Sequence, residues 1–236
     1  MSSAETSSRI LDAAEIIFAK KGYESASIRR ITSLAGVDLG SVRYHFGSKD
    51  RLFGAVMERR LRPLCEERAR RLDALEAEWG DEPVPVERLI ESFVRPAVDL
   101  ICDREHGRCW MNLIGRVRVE PGSYLDSVQV MYAEILKRYL ALFARAIPDL
   151  CEEEQAYRFY FLFGVEVNTL VDDGTLRALR PGLPVVYEDP DAVVAHLVRF
   201  ASAGMRAPAA GEMVTPIEAD GAVATQRTGL KRSWVG

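Results

Sequence analysis

The chain contains 236 residues, of which 48% are hydrophobic and 28% are charged. This is the composition of an ordinary soluble globular protein, and it excludes disordered, collagen-like and disulfide-stapled chains. The longest apolar run covers residues 159–165 and is far shorter than the ~18 residues of a membrane span, so we expect no membrane partner. The N-terminus lacks the pattern of a signal peptide and the four cysteines are scattered, which predicts reduced thiols in the cytoplasm.

The net charge of −4 argues against a nucleic-acid partner for the chain as a whole, but the charge is unevenly distributed. Residues 1–62 carry 11 Lys and Arg against 7 Asp and Glu, whereas the rest of the chain carries 20 against 28. This asymmetry is compatible with a DNA-facing end attached to an acidic body.

Helical periodicity extends through nearly the whole chain, whereas no useful stretch alternates with a period of two. The first helix ends at Gly22, because two lysines and a glycine form its last turn. The second helix begins after Ser27, because serine often caps helix N-termini. This helix ends at Gly36, and its apolar face, which includes Leu34, is predicted to point inward. A third, short helix covers residues 39–45. The pattern therefore predicts an all-α fold that begins with three helices.

Longer helices follow, and the chain ends in a segment of different composition. The spacing of apolar residues predicts helices at 49–78, 86–102, 108–119, 122–146, 152–171 and 190–205. Acidic residues, glycine and proline between the last two helices predict a loop. From residue 207 to 236, 12 of 30 residues are Ala, Gly or Pro and no period remains, so we expect a disordered tail.

The second and third helices have the dimensions of a helix-turn-helix unit, because a tight turn around Gly36 joins two short helices. In such a unit the first helix braces against the DNA backbone while the second enters the major groove. Spacing alone leaves an alternative open, since three helices can also cap the end of a larger helical protein. A helical enzyme with such a cap is a further alternative, although the chain has no nucleophile or metal motif typical of enzymes.

Residues 25–53, which read SASIRRITSLAGVDLGSVRYHFGSKDRLF, resemble the TetR family of bacterial transcriptional regulators. The likeness consists of an ordered set of features: an apolar first helix that ends in Lys-Lys-Gly-Tyr, an Ala-Gly-Val turn, and a Tyr-His-Phe end of the third helix before Gly-Ser-Lys-Asp. It implies a helix-turn-helix DNA-binding domain at 1–48 as the head of an all-α chain. A helical-bundle body for ligand binding and dimerisation is implied at 49–206, and 207–236 is the tail.

The resemblance also implies how such a chain works. It predicts a cytoplasmic homodimer that binds double-stranded operator DNA as a repressor and is released by a small effector, with no cofactor. A DNA-binding protein without ligand control is the alternative. Carried over residue by residue, the DNA-binding positions are Ser27, Arg29, Leu39, Gly40, Ser41, Arg43, Tyr44, His45 and Lys49.

Arg43 stands where the family typically has a tyrosine. An arginine on the groove-facing side can donate two hydrogen bonds to guanine O6 and N7, which predicts an unusual base preference. Lys49 begins the fourth helix, where a backbone N–H and an ammonium can bind the same phosphate. For Tyr44 the alternative is a place in the core, and for His45 a role in holding the turn.

The body is predicted to contain an effector site. Its middle helices are rich in apolar and aromatic residues, and residues 60–75 are similar to family members that respond to fatty-acid-type ligands. These features predict an elongated, largely apolar effector with an acidic head, which Arg116 and Arg118 would bind. The predicted ligand-binding residues are Phe93, Trp110, Met111, Ile114, Arg116 and Arg118.

The body is also predicted to form the dimer. Residues 159–165 and 193–201 are apolar over more than one helical face, so a partner is needed to cover them. In the family the last two helices form the dimer interface, and these stretches lie on the last two helices here. The predicted interface residues are Phe159, Phe163, Val167, Val193, Leu197 and Phe200.

Two smaller constellations have competing interpretations. Cys102, His106 and Cys109 have the spacing of metal ligands but lack a fourth, so no metal site is predicted, and half-buried thiols are favoured over a sensing role. Glu166 and Asn168 interrupt an apolar helix. We interpret them as a hydrogen-bonded pair inside the helical bundle rather than as polar groups of a pocket.

Overall fold

The computed structural model describes residues 2–102, 107, 110, 113–114, 125–171 and 174–209. Throughout these ranges the regular structure is helical and contains no strand, which confirms the all-α prediction. No helix within these ranges is long and apolar enough to cross a membrane.

Short helices come first in the chain and long ones follow. In order they are α1 (Ser3–Ser25), α2 (Ile28–Ala35), α3 (Gly40–Phe46), α4 (Lys49–Trp79), α5 (Val86–Cys102), α6 (Leu125–Ala146), α7 (Glu152–Leu170), α8 (Thr175–Leu179) and α9 (Pro190–Met205). The bounds of α5 and α9 coincide with the predicted ones. The five-residue helix α8 lies in the segment predicted as a loop, because so short a helix cannot show a 3.6-residue period. Most of the helix predicted at 108–119 lies outside the described residues.

The head helices are bounded by the residues that the sequence singled out. The Ser27 hydroxyl accepts a hydrogen bond from a backbone N–H three residues later, at 3.2 Å. Gly36 ends α2 in the left-handed conformation with φ of 62°, and Gly22 interrupts α1 with φ of 76°, a region that favours glycine. The prediction that Leu34 faces inward is wrong. Leu34 is exposed because the buried face of α2 passes through Ile31.

The head packs against the beginning of α4. The Phe18 ring of α1 meets the Phe53 ring of α4 edge to face, with centroids 4.8 Å apart, and Tyr23 contacts the Phe53 ring at 5.3 Å. Val42 of α3 belongs to the same core. The core of the head therefore extends past residue 48, the predicted boundary, into the first turns of α4.

The body is built from α4, α5, α6, α7 and α9. Helix α5 packs along α9, and α4 packs along α6. Phe93 of α5, Tyr139 of α6 and Phe159 of α7 meet with ring centroids 5.0–6.3 Å apart. All three side chains are buried, so aromatic packing joins three helices in the middle of the body.

Packed structure continues past the predicted start of the tail. Arg158 on α7 donates hydrogen bonds to the carbonyls of Ala207 at 2.6 Å and Pro208 at 2.9 Å. The same guanidinium caps the end of α9 through the carbonyl of Met205, where helix carbonyls have no partner within the helix. The prediction of a disordered tail is therefore wrong for Ala207 and Pro208, and 210–236 lie outside the described residues.

Candidate nucleic-acid interface and helical body

The outer face of α3 is open to solvent. Val42 is buried and fixes the helix on the head, while Leu39 is 60% exposed and Tyr44 is 82% exposed. Gly40 and Arg43 are exposed as well. The alternative that Tyr44 packs in the core is therefore wrong, and a surface of mixed apolar and cationic character is available to a partner.

Four more of the predicted DNA-binding residues are also accessible. Ser27 and Arg29 are exposed at the start of α2, and Ser41 and His45 of α3 are half-buried. None of these side chains belongs to the core of the head. Helix-turn-helix proteins contact phosphates from the first helix of the unit and base edges from the second, and the accessible residues are distributed over both.

Lys49 differs from the other predicted DNA contacts because its ammonium already has partners within the head. Its Nζ donates a hydrogen bond to the backbone carbonyl of Glu24 at 3.1 Å and lies 4.5 Å from the centroid of the Tyr23 ring. Asp50 accepts a hydrogen bond from the Tyr23 hydroxyl. Lys49 thus ties the end of α1 to the start of α4, and its contact with a phosphate stays a prediction.

A second link between α1 and α4 is a cluster of charged side chains that we call the head clamp: Asp12, Glu15, Arg59 and Arg60. Glu15 is 2% exposed and lies between two guanidinium groups, 2.8 Å from Nη2 of Arg59 and 3.0 Å from Nη2 of Arg60. Asp12 lies 2.8 Å from Nη1 of Arg59. A buried carboxylate needs such partners because its desolvation is otherwise very unfavourable. The clamp therefore fixes α1, and with it the head, on α4.

In the body, one guanidinium lies at the junction of four helices. Arg68 of α4 is fully buried, and its Nη2 lies 2.5 Å from a carboxylate oxygen of Glu166 on α7. Its Nε donates to the backbone carbonyl of Phe93 on α5 at 2.8 Å, and its Nη1 donates to the hydroxyl of Tyr132 on α6. The guanidinium carbon lies 3.8 Å from the centroid of the Phe93 ring. Burial raises the pKa of Glu166 to about 7, because the loss of water outweighs the attraction of Arg68.

Glu166 is hydrogen-bonded inside the helical bundle as interpreted, but the interpretation of Asn168 as its partner is wrong. Asn168 is exposed, whereas the partner Arg68 lies 98 residues away in the chain. The sequence already indicated that Arg68 is buried. It lies four residues from both Leu64 and Leu72, on the same face of α4. An arginine at such a position needs a buried acceptor, but the sequence does not say which one.

The predicted ligand-binding residues are only partly described. Phe93 and Trp110 are buried, and Ile114 is half-buried. Phe93 takes part in the junction around Arg68, in the middle of the body. The other three residues, Met111, Arg116 and Arg118, lie outside the described residues.

Five of the six residues predicted for the dimer interface are wholly or half buried within the chain. Phe159, Val167 and Leu197 are buried and have little surface left for a partner to cover, so their assignment to an interface needs correction. Phe159 and Leu197 pack inward because the neighbouring helices of the same chain cover that side of α7 and α9. Phe163 and Val193 are half-buried.

The exposed apolar surface of α7 and α9 consists of Tyr157, Tyr160, Phe161 and Phe200, and we call it the aromatic face. Phe200, the sixth predicted interface residue, is 67% exposed. The Phe161 ring contacts the rings of Tyr157 and Tyr160, each at 6.1 Å. Phe161 and Phe200 line a groove of about 90 Å³ between the two helices. Contiguous exposed apolar patches mark interaction surfaces more often than scattered apolar residues do.

Within the part of the chain that the structure describes, no group of three His, Cys, Asp or Glu side chains could hold a metal ion. Cys102 is half-buried, and its thiol lies 3.6 Å from the carbonyl oxygen of Val186. Burial raises the pKa of this thiol, which disfavours the reactive thiolate near neutral pH. His106 and Cys109, the other members of that constellation, lie outside the described ranges.

Comparison with known proteins agrees with this arrangement. The family description "Bacterial regulatory proteins, tetR family" matches residues 10–56, and "Tetracyclin repressor-like, C-terminal domain" matches residues 91–204. The HTH-type transcriptional repressor BepR of Brucella suis biovar 1 is 28% identical over 142 residues, 59% of this chain and 65% of BepR. The HTH-type transcriptional repressor AcnR of Corynebacterium efficiens is 43% identical over 47 residues, 20% of this chain and 25% of AcnR. The match thus spans less than two thirds of either relative.

The fold is also similar to that of a solved structure. The fatty acid degradation regulator FadR from Bacillus halodurans has a TM-score of 0.54 at 18% identity, over 85% of this chain and 96% of that one. At this identity the likeness concerns the fold alone, a helical head on a helical body. The two family descriptions cover the head and most of the body, and the chain therefore belongs to the TetR family of bacterial transcriptional regulators.

Proposed function

We propose that the protein is a DNA-binding repressor that acts as a homodimer in the cytoplasm and releases its operator when a small, largely apolar effector binds the body. The observation that carries this proposal is the outer face of α3, where Leu39, Arg43 and Tyr44 are exposed around the buried Val42. A helix held on a compact head with its outer face free is what insertion into the major groove requires. Family membership argues against the enzyme alternative, since the family consists of regulators.

Arg43 is expected to read bases. We expect Arg43→Ala to weaken binding to the preferred operator by roughly 1–3 kcal/mol and to change binding to unrelated DNA much less, because a bidentate bond to guanine adds energy at the correct base. The operator is first selected from random duplexes with the wild-type protein. Both proteins are then titrated against the selected and an unrelated duplex at one salt concentration, since salt alone changes affinity strongly.

Arg62→Ala is the matched control for this measurement. Arg62 is an exposed arginine of α4 that pairs with Glu58, and it is not among the predicted DNA-binding positions. This variant should bind both duplexes as the wild type does. Equal losses on selected and unrelated DNA for Arg43→Ala would show that Arg43 binds phosphate and does not read bases.

A second copy of the chain is the proposed occupant of the aromatic face. This face lies on α7 and α9, the last two long helices, and a dimer formed by the last two helices, as in the family, supports this proposal. A twofold contact brings the same patch of both copies together. The rings of Phe161 and Phe200 would then be covered by the equivalent rings of the partner, which removes the exposed apolar surface of each copy from water.

Phe161→Glu combined with Phe200→Glu should convert the dimer into a monomer, because a charge buried without a partner in an apolar interface costs several kcal/mol. Size-exclusion chromatography with light scattering measures the mass. Leu179→Glu is the matched control, since Leu179 of α8 is an exposed apolar residue outside the aromatic face. An unchanged mass for the double variant would place the interface on another surface.

The apolar residues of the middle helices support an apolar effector, as does the similar fold of a protein described as a fatty acid degradation regulator. We expect the affinity of carboxylates to rise about fourfold per added methylene until the site is full, since each buried methylene contributes ~0.8 kcal/mol. Release of labelled operator DNA by acids of increasing chain length measures this. A flat response would reject an acyl effector, and operator binding that no cell metabolite changes would favour the alternative without ligand control.

A further inference from the structure

The Arg68–Glu166 pair differs from the other ion pairs of the described ranges because both of its side chains are buried. Exposed ion pairs contribute little to stability. A fully buried pair seldom contributes much more, because desolvation of two charges offsets their attraction, and apolar residues of similar volume often do as well. Stability alone therefore does not account for this pair in the middle of the body.

Each of the three guanidinium nitrogens of Arg68 donates one hydrogen bond, to the Phe93 carbonyl, the Tyr132 hydroxyl and one oxygen of Glu166, so not every N–H of the group is used. A guanidinium has five N–H donors and can hold both oxygens of a carboxylate through two parallel bonds. Glu166 offers one oxygen, which lies 2.5 Å from Nη2 of Arg68. No donor among the residues that the structure describes reaches the second oxygen of Glu166. A carboxylate in the plane of the Arg68 guanidinium would accept a second, parallel hydrogen bond that Glu166 does not accept.

Half-buried apolar side chains surround the pair. Cys65 lies one turn before Arg68 on α4, Phe163 lies one turn before Glu166 on α7, and the Phe163 ring is 5.9 Å from the Tyr132 ring. Burial raises the pKa of both Cys65 and Tyr132, although part of each side chain is still accessible. These three side chains lie beside the pair, and apolar walls with a few polar groups are typical of small-molecule sites.

We propose that Arg68 binds the carboxylate of an apolar acid, which replaces Glu166 on the guanidinium while the rest of the acid lies against Cys65, Tyr132 and Phe163. This inference rests on the proposed function, since it names the chemistry and the anchor of the effector. A wall with two aromatic rings accommodates an aliphatic or an aromatic acid. Their shared feature is one carboxylate on an apolar molecule.

The exchange keeps the interior neutral. Glu166 has a pKa of about 7, and loss of Arg68 raises this pKa further, so Glu166 takes up a proton from solvent as the charge of the acid replaces its own. The ionisable side chains that act on it are Arg68 of α4 and Tyr132 and Tyr139 of α6. Helices α4 and α7 lose the ion pair that joins them, and α4 also holds the head through the head clamp.

The test uses the full chain and two matched pairs of probes. Octanoate is compared with octan-1-ol, and 4-phenylbutanoate with 4-phenylbutan-1-ol, by isothermal titration calorimetry at pH 7. The wild type should bind at least one acid about tenfold or more tightly than its alcohol, because a charge-assisted hydrogen bond is lost with the carboxylate. The two pairs separate an aliphatic from an aromatic effector.

Variants of the pair should change this preference in opposite directions. Glu166→Gln removes the competitor for Arg68 and should tighten acid binding by about tenfold, whereas Arg68→Gln should abolish the preference for the acid. A merely structural pair would give losses in both variants. Glu154→Gln is the matched control, because Glu154 pairs with Arg158 at the other end of α7. It should bind both acids as the wild type does.

The inference is overturned if neither acid binds the wild type or Glu166→Gln, or if Arg68→Gln keeps the preference for the acid. Should Arg68→Gln fail to fold, the Glu166→Gln comparison decides, and an unchanged ratio of acid to alcohol affinity overturns the inference. Should both variants fail to fold, the wild type decides, and equal affinities for each acid and its alcohol overturn the inference. Release of operator DNA is measured separately. An acid that binds through Arg68 and leaves the DNA complex intact supports the anchor and contradicts effector control. Release of operator DNA by uncharged compounds alone, with no acid bound, supports effector control and contradicts the anchor.

Discussion

Arg68→Met should lower the free energy of unfolding by about 3–5 kcal/mol, because it removes one partner of a buried ion pair and leaves the other uncompensated. Glu166 is buried and would have to take up a proton or stay buried as a charge. The Tyr132 hydroxyl and the Phe93 carbonyl each lose a donor as well. Urea unfolding at pH 7, followed by circular dichroism, measures the loss.

The double variant Arg68→Met with Glu166→Leu is the matched comparison. Replacing both charges by apolar side chains of similar volume is often neutral or stabilising, so most of the loss should be recovered. A double variant that is as unstable as Arg68→Met would show that lost packing against Phe93, rather than an uncompensated charge, caused the loss.

The dependence of stability on pH provides a second readout of the same pair. The pKa of Glu166 is about 7 in the folded chain against an ordinary value of 4.5, so the folded state binds this proton more strongly than the unfolded state does. The stability that the proton contributes is complete below about pH 4.5 and is lost as the pH rises to about 7. The double variant lacks Glu166, and its free energy of unfolding should not show this part of the pH dependence.

Glu15→Gln should weaken binding to every DNA duplex by about tenfold or more. The change removes the charge that holds Arg59 and Arg60 together and should lower the free energy of unfolding by about 2–3 kcal/mol. The loss is not larger because the two arginines keep partial access to water. With α1 loosened on α4, the two heads of the proposed dimer would no longer be pre-arranged for successive major grooves. DNA titration at one salt concentration, with thermal unfolding of the same samples, measures both effects.

Glu58→Gln is the matched control for the head clamp. Glu58 also pairs with an arginine of α4, Arg62, but both side chains are exposed. Exposed pairs contribute about 0–1 kcal/mol, so this variant should bind DNA as the wild type does. If Glu15→Gln has a lowered Tm together with wild-type DNA affinity, the clamp stabilises the head but does not determine the orientation of the head on α4.

Local chemistry explains why the sequence alone predicted the helices and the head. A helix is recognised from apolar residues that return about every 3.6 positions, and α5 and α9 have the predicted bounds for that reason. Ser27 and Gly36 delimit α2 through hydrogen bonds to backbone groups a few residues away, and such bonds depend on the residues present in one short segment. The family likeness rests on the same segment, so it too could be identified without a structure.

Only the tertiary structure decided which surfaces meet. Helices α7 and α9 are apolar over more than one face, so their sequence placed Phe159 and Leu197 at an interface although both are buried within the chain. The partner of Glu166 lies 98 residues away, and so distant a pair leaves no mark on the local pattern of either helix. Helix ends depend on hydrogen bonds between near neighbours in the chain, which the sequence displays. Burial depends on which other helices cover a face, and that is determined when the whole chain packs.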